Sequence, residues 1–444
     1  MSIAISIITV FEELYKPFLD TSLIGRAQKN SIINVSVKNL FSCVEPKQRI
    51  DGPAYGHGAG MLIRPDVVEK AIEEREAIAG KAFKIFFSPQ GQKIDQRLLE
   101  ELAPQIQAAG HLMLVAPRYE GVDARAEEKY ADKILSVGDF VLMGGDIPAL
   151  MFLEGILRHI PGVVGKQESV EHDSFSGPFV DYPSYTEPLE WHGQKVPEVL
   201  RSGNHEHMRQ WRLARAAKTT VLNHFSWLKA QVMSKEERAA AWQHVPSHYV
   251  ALLHNDVLVG SQGLEGMTSV TSLDIHDIAR SSKTFGFKNF FIVTSLLDQQ
   301  KVVKKLLNFW QTDEGLEYNK NRFEALSGVC LLDTLDQAIA HIEQQEGKAP
   351  LLIATSAHQK DHERAITFFE QEKVWALERP VLFLLGTGKG LTEKIIQRSD
   401  FLLNPVNGFA EFNHLSVRSA AAVLFDRWLG LNPRMIPASK SASK

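Results

Sequence analysis

Short apolar runs rich in β-branched and aromatic residues alternate with helical patterns along most of this chain, and that alternation limits it to parallel sheets covered by helices. In the first 165 residues the strand signals are Ser6 to Phe11, Lys84 to Phe87, Leu112 to Ala116 and Phe140 to Met143, with helical stretches such as Asp66 to Ile78 between them. Strand signals resume with Val250 to Leu253, Phe290 to Val293, Pro350 to Ala354 and Val381 to Leu385. The expected fold class is therefore α/β in two halves. Between the halves, residues 161–197 carry Pro161, Gly162, Gly165, Gly177, Pro178, Pro183, Pro188 and Gly193, which is loop composition. A loop this long is either functional or disordered. Asn204 to about Trp227 reads as helical and basic, and Ser234 with Glu237 forms a capping box for a helix ending near Trp242. These make a small helical domain. The tail 431–444 ends in PASKSASK and is expected to fray.

Charge excludes a simple nucleic-acid-binding chain. The 49 basic and 53 acidic residues leave a net charge of −4, so no overall positive field exists and any RNA contact has to come from a local face. Arg209, Arg212 and Arg215 recur every third residue around Trp211, with Arg201, His205 and Lys218 nearby and Glu206 as the only acid between Arg201 and Lys218. Such a run is either a solvated helix face or a phosphate-binding patch, and the neutral remainder of the chain favours the patch. Hydrophobic residues at 44% and charged residues at 23% exclude a disordered chain and a coiled coil. Cys43 and Cys330 are too few for a disulfide framework and are spaced like neither a zinc site nor a redox pair. The opening MSIAISIITVF lacks a basic flank and runs into Glu12 and Glu13, so it reads as a buried strand rather than a secretion signal. No stretch approaches the roughly 20 apolar residues of a membrane span. The expectation is a soluble, cytoplasmic protein.

Glycine-rich loops carry the candidate chemistry. Tyr55-Gly56-His57-Gly58-Ala59-Gly60-Met61 has glycine at every second position, which permits close backbone approach to a ligand, yet it matches neither a dinucleotide fingerprint nor a Walker motif. Arg118-Tyr119-Glu120-Gly121 follows a strand, and Ser136-Val137-Gly138-Asp139 leads on to Gly144-Gly145. Strand ends are where α/β sheets hold their ligands. The plainer alternative makes these glycines tight turns and leaves Glu120 solvated. In Gly386-Thr387-Gly388-Lys389-Gly390 the lysine comes three positions after the first glycine and is followed by another, so a Walker phosphate cradle is refused. His276-Asp277 and the pair His244, His248 are not at metal-ligand spacings. Taken alone, Asp173 is a turn former and Arg158 a cation complementing a helix C-terminus.

In sequence order, LIGRAQKN (23–30), YGHGAGM (55–61), SPQGQKIDQ (88–96), RYEGVD (118–123), SVGDFVLMGGDIPAL (136–150), RHIPGVVG (158–165), HDSF (172–175) and SGNHEHMRQWR (202–212) resemble the bacterial tRNA (guanine-N1)-methyltransferase family over about the first 230 residues. That resemblance implies a SPOUT-type enzyme. Its parts would be a trefoil-knotted α/β domain over 1–165, a flexible linker over 166–197 carrying the catalytic aspartate, and a helical tRNA-binding domain over 198–243. The enzyme would work as a homodimer. S-adenosylmethionine would be held by Phe87, Ser88 and Pro89, by Pro117, Glu120 and Gly121, and by Ser136, Val137, Gly138, Asp139, Phe140, Val141 and Leu142 with Gly144 and Gly145. Asp173 matches the family's general base and Arg158 its partner at the guanine, tRNA contacts would come from Arg201, His205, Arg209 and Arg212, and the product would be 1-methylguanosine at tRNA position 37. The family also implies Mg2+, although no metal motif is visible. Against the family pattern, His57 and Ala59 stand where Gly and Pro are usual, Ala116-Pro117 where a Cys-Gly or similar pair is usual, and Asp146 replaces a glutamate.

Residues 249–430 resemble a second SPOUT-like domain of an RNA methyltransferase family through YVALLHNDVL (249–258), TSLDIHDIARSSKTFG (271–286), LLGTGKGL (384–391) and FNHLSVRSA (412–420). The resemblance places Gly386, Gly388, Leu415 and Ser416 at a second cofactor site. This half is then either a second enzyme acting on another RNA position, such as a ribose hydroxyl, or a catalytically silent RNA-binding or dimerisation module. The expected partners are tRNA and a second copy of the chain, with no membrane and no DNA.

Overall fold

The computed structural model describes residues 2–165, 173–359 and 363–433. Cα proximity divides the chain into two compact units, Met1–Ser176 and Gly177–Lys444. In the first, β1 (Ile3–Thr9), β2 (Ile33–Asn39), β3 (Phe83–Lys93), β4 (His111–Val115) and β5 (Lys133–Ser136) form one five-stranded sheet in the order β2-β1-β4-β3-β5. Every pairing in it is parallel. Both faces are covered, which is why β1 and β4 are mostly apolar rather than alternating, with Ser6, Thr9 and His111 as their polar residues. Ile8, Phe86, Met113 and Val115 meet the helices Pro65–Ala79 and Ala124–Tyr130 on one side. Ile5, Ile7, Leu112 and Leu114 meet Ser22–Lys29, Gln96–Ala109 and Asp146–Leu157 on the other.

The sheet order records a late insertion. The helix Gln96–Ala109 starts at Asp95, whose side chain accepts from the Leu98 N–H, and stops at Gly110, left-handed at φ 68°. That cap turns the chain back so that β4 enters between β1 and β3, strands laid down before it. β5 then pairs outside β3.

The second unit repeats this connectivity. Its main strands are β6 (His248–Leu253), β7 (Phe290–Val293), β8 (Val329–Leu332), β9 (Leu351–Thr355), β10 (Ala365–Ile366), β11 (Val381–Gly386) and β12 (Phe401–Leu403), in the order β8-β7-β6-β11-β9-β12-β10. Its central five strands, β7-β6-β11-β9-β12, follow the same pattern as the first unit, with β11 inserted between β6 and β9 as β4 is between β1 and β3. The helices His205–Asn223 and Lys235–Trp242, the latter with the expected Ser234–Glu237 capping box, close one face. Val221, Phe225, Leu228 and Ala241 share a core with Val250, Phe287, Phe383 and Trp428. No helix among the described residues is long and apolar enough to cross a membrane.

One expected strand is a loop. Phe140–Met143 lies outside every sheet and faces solvent, Val141 at 83% and Met143 at 91% exposure. The physical reason is that both ends of the segment are already fixed. The Ser136 carbonyl accepts from the Ile94 N–H at 2.8 Å, and the Gly145 N–H donates to the Pro117 carbonyl at 2.7 Å, so the apolar run spans the gap between them. Strands β2, β5, β8, β10 and β12 are found in addition to those expected. Residues 166–172 of the expected linker and 434–444 of the tail lie outside the described residues.

Asp146, at the start of the last helix of the first unit, is fully buried and accepts from Thr9 Oγ1 at 2.5 Å, Tyr15 Oη at 2.8 Å and Arg118 Nε at 2.6 Å. Burial and the adjacent Asp146 charge raise the Tyr15 phenol far above its ordinary value, so it stays a donor. Removing the carboxylate strands a guanidinium and two hydroxyls. Asp146→Ala is expected to cost about 3–5 kcal/mol, the range for breaking a buried ion pair from one side, read as a lower urea midpoint for the first unit. An unchanged midpoint refutes the role.

Candidate functional site

Three loops of the first unit, one within β3 and two at the C-terminal ends of β4 and β5, lie at the edge where open α/β sheets bind ligands. The first is a bulge. Phe87 pairs with Leu135 and so does Gln92, so Ser88, Pro89, Gln90 and Gly91 are extruded between them. A Cβ on Gly91 would lie 2.6 Å from the Leu135 nitrogen, which is why glycine closes the bulge. The second loop, Pro117 to Gly121, holds Tyr119 at φ 59° and Gly121 at φ 116°. The third, Val137 to Gly145, carries the exposed Phe140, Val141, Leu142 and Met143.

The second and third loops are locked together. A Cβ on Gly145 would sit 2.5 Å from Pro117 Cδ, and one on Gly144 2.5 Å from Arg118 Cδ. The paired glycines are therefore a packing requirement, and Pro117 takes part through its carbonyl, so its missing N–H costs the fold nothing here. Arg118 lies over the Phe11 ring at 4.7 Å while its Nε is held by Asp146. Lys93 and Asp139 pair across the first and third loops. The Tyr55–Met61 loop joins the same assembly. The Glu120 N–H donates to the Met61 carbonyl at 3.0 Å, and a Cβ on Gly60 would strike the Glu120 side chain. The glycine loops singled out in the sequence of this unit thus converge on one edge.

Arg158 caps the C-terminus of the helix Asp146–Leu157, and its guanidinium donates to the Asp173 carboxylate. Both remain open to an acceptor molecule, Arg158 at 46% and Asp173 at 37% side-chain exposure. A half-exposed carboxylate beside a guanidinium can take a proton from one atom while the cation steadies negative charge on its neighbour.

The basic helix carries less free charge than its sequence suggests. Arg209 is shared between Glu206 at 2.9 Å and Glu236 at 2.6 Å, the second acid arriving from a different helix. Arg212 lies over Tyr182 at 4.9 Å and Arg215 over Trp211 at 5.6 Å. Arg201 ends a short 3-10 turn, and His205 opens the helix capped by Asn204.

In the second unit the Gly386 loop is occupied by its own chain. The Lys389 N–H donates to Leu258 at 2.8 Å, the Gly390 N–H to Thr387 at 3.0 Å and the Thr387 N–H to Leu253 at 3.3 Å, and a Cβ on Gly388 would strike the Leu258 carbonyl. Those three N–H groups are not a phosphate cradle, in keeping with the sequence spacing. The hairpin of Val257–Val259 and Leu264–Gly266 that covers the loop has no marker in the sequence beyond its glycines. Leu415 and Ser416 precede the helix Val417–Leu429, with the Ser416 side chain capping Ser419. Sequence reasoning also missed Arg418 and its acidic partners Asp274 and Asp277, for which the only signal is an aspartate pair three residues apart on one helix.

Gly145→Ala is expected to destabilise the first unit by about 1–3 kcal/mol, the range for forcing a methyl into a filled space. Gly52→Ala, where an added Cβ meets nothing within 4 Å, is the control in the same urea titration. Equal effects at the two positions would refute the packing requirement.

A family model described as tRNA (Guanine-1)-methyltransferase TrmD matches residues 3–230, and one described as SAM-dependent RNA methyltransferase matches residues 247–430. A tRNA (guanine-N(1)-)-methyltransferase of Oleidesulfovibrio alaskensis is 36% identical over 96% of this chain and 99% of its own length. One of Nitratidesulfovibrio vulgaris is 35% identical over 96% and 99%. One of Thermus thermophilus is 43% identical over 49% of this chain and 87% of its own length. The looped strand edge of the first unit, the repeated sheet of the second and these full-length matches agree: the chain belongs to the tRNA (guanine-N1)-methyltransferase family and carries a second, S-adenosylmethionine-dependent RNA methyltransferase domain.

Proposed function

We propose that the first unit methylates N1 of guanosine at tRNA position 37, with Asp173 and Arg158 as its catalytic pair. The observation that carries this reading is their contact, an aspartate and an arginine 15 residues apart, brought together beside the helix that leads out of the glycine loops. Guanine N1 bears a proton at neutral pH and is a poor nucleophile. The Asp173 carboxylate accepts that proton, and the Arg158 guanidinium, displaced from Asp173 toward O6, stabilises the charge that develops there.

The three loops at the strand edge fit S-adenosylmethionine, which supplies an electrophilic methyl when bound. Phe87, Ser88 and Pro89 in the bulge, Pro117, Glu120 and Gly121 after β4, and Ser136 to Leu142 with Gly144 and Gly145 would hold it. What supports the fit is the convergence of these loops on one strand edge, where Gly121 takes φ 116° with open space around it. Threading of the C-terminal segment into a trefoil knot is part of the same reading, supported by the insertion of β4 and by the seating of Gly144 and Gly145 on Pro117 and Arg118. So is a homodimer, for which the exposed Phe140, Val141, Met143, Ile147 and Met151 offer an apolar face. A linker that carries Asp173, a tRNA-binding helical domain over 198–243 and a cytoplasmic location complete it. Magnesium does not fit in the same way. Among the described residues no three His, Cys, Asp or Glu side chains converge, and no step is assigned to the metal.

Asp173→Ala is expected to reduce methyl transfer to unmodified tRNA transcript by roughly 10²- to 10⁴-fold while donor affinity stays constant. Parallel loss of donor binding would make the residue structural. Because Glu206 and Glu236 already neutralise Arg209, Arg212→Ala is expected to lower the salt slope of tRNA binding by about 1, with Arg209→Ala changing it less. Equal slopes for all three proteins would return this helix to plain solvation.

A further inference from the structure

The geometry points to an acceptor site in the second unit, built from Arg418 and Asp277, at which an RNA nucleotide is methylated. This rests on the reading that the second unit binds S-adenosylmethionine near the Gly386 loop and the Leu415–Ser416 segment. Two groups of polar contacts lie between these segments, one reaching from the glycine loop to His254 and the other from Arg418 to Asp274. Thr387 of the glycine loop is 2.5 Å from Thr268 through their hydroxyls, and Thr268 Oγ1 is 3.1 Å from His254 Nδ1. Burial pushes His254 down to about 4, so it is neutral at pH 7, and Asp274 lies near enough to act against that shift. Asp274 in turn accepts from Arg418 at 3.2 Å, two residues beyond Ser416.

Beside the second of these groups stands a carboxylate suited to proton transfer. Asp274 is nearly buried and also accepts from Thr271 at 2.5 Å, so it anchors Arg418 and is not itself open to substrate. Asp277 is different. It stands one turn further along the same helix, Ser272–Thr284, 46% exposed, with an oxygen 3.7 Å from Arg418 Nε, an ion pair too long to be a hydrogen bond. Its carboxylate oxygens remain available beside a fixed guanidinium. Arg158 and Asp173 present the same two groups at comparable exposure in the first unit. The chemistry needed is the same in both: an acceptor that must lose a proton as it gains a methyl.

In the step, the acceptor nitrogen or oxygen bonds to the methyl carbon as the carbon–sulfur bond of the sulfonium breaks and its electron pair stays on sulfur. The acceptor's proton passes to Asp277 and then to water, while Arg418 faces the charge that builds on the acceptor.

The test uses the full-length chain carrying Asp173→Ala, so that the first unit is silenced. Equilibrium dialysis with tritiated S-adenosylmethionine is expected to give two donors per chain, and incubation with total RNA from cells lacking this protein is expected to incorporate label. Adding Asp277→Asn should leave two donors bound and cut incorporation by roughly 10²- to 10⁴-fold. Alkaline hydrolysis separates the two acceptor types, because a ribose methyl leaves alkali-resistant dinucleotides and a base methyl leaves labelled mononucleotides. One donor per chain would overturn the underlying reading of the second unit. Two donors with no incorporation, or incorporation indifferent to Asp277→Asn, would overturn the acceptor site alone.

Discussion

A single buried carboxylate fixes the working edge of the first unit. Asp146 reaches the end of β1 through Thr9, the following turn through Tyr15 and the loop after β4 through Arg118, while its own backbone begins the last helix. An unpaired charge at full burial would be costly, so all three donors have to be present together for the helix to start where it does. Gly144 and Gly145 just before it can then lie against Pro117 and Arg118 with no space for a side chain. The loop between Ser136 and Gly144 is consequently pinned at both ends and free in its middle, which leaves Phe140 to Met143 displayed on the surface.

The same construction recurs in the second unit with the charges exchanged. The helix after the last strand of its common core again begins beside an ion pair, but there the helix supplies the cation, Arg418, and the helix Ser272–Thr284 supplies the acids. Connectivity is conserved between the units more closely than the contacts that stabilise it. In each case a strand inserted late between two earlier ones carries a glycine loop at its end, held down by a short antiparallel hairpin, Asp51–Pro53 with Met61–Ile63 in the first unit and Val257–Val259 with Leu264–Gly266 in the second. The packing problem set by that insertion is common, and each unit solves it with its own polar groups.

Local electrostatics matters more than net charge in this chain. A near-neutral total conceals arginines whose availability depends on what folds against them: Arg209 is taken by two glutamates, Arg212 and Arg215 rest on aromatic rings, and Arg158 and Arg418 are held by aspartates at half exposure. Only half-exposed pairs combine a defined geometry with access for a substrate.

Alternation of apolar runs with helical patterns was enough to specify two parallel α/β units, because a strand buried on both faces is apolar along most of its length. The glycine loops and the Ser234 capping box were legible for the same kind of reason, since their chemistry is local. The sequence by itself could not distinguish the exposed run Phe140–Met143 from a buried strand, because apolarity reports what a segment could bury and not whether a partner is in reach. Nor could it foresee Glu236 against Arg209, Thr9 and Tyr15 on Asp146, or Asp277 beside Arg418, which depend on side chains from separate elements meeting at a few ångströms. Those meetings are decided by how separate elements pack against one another, a property of the tertiary fold that no local pattern encodes.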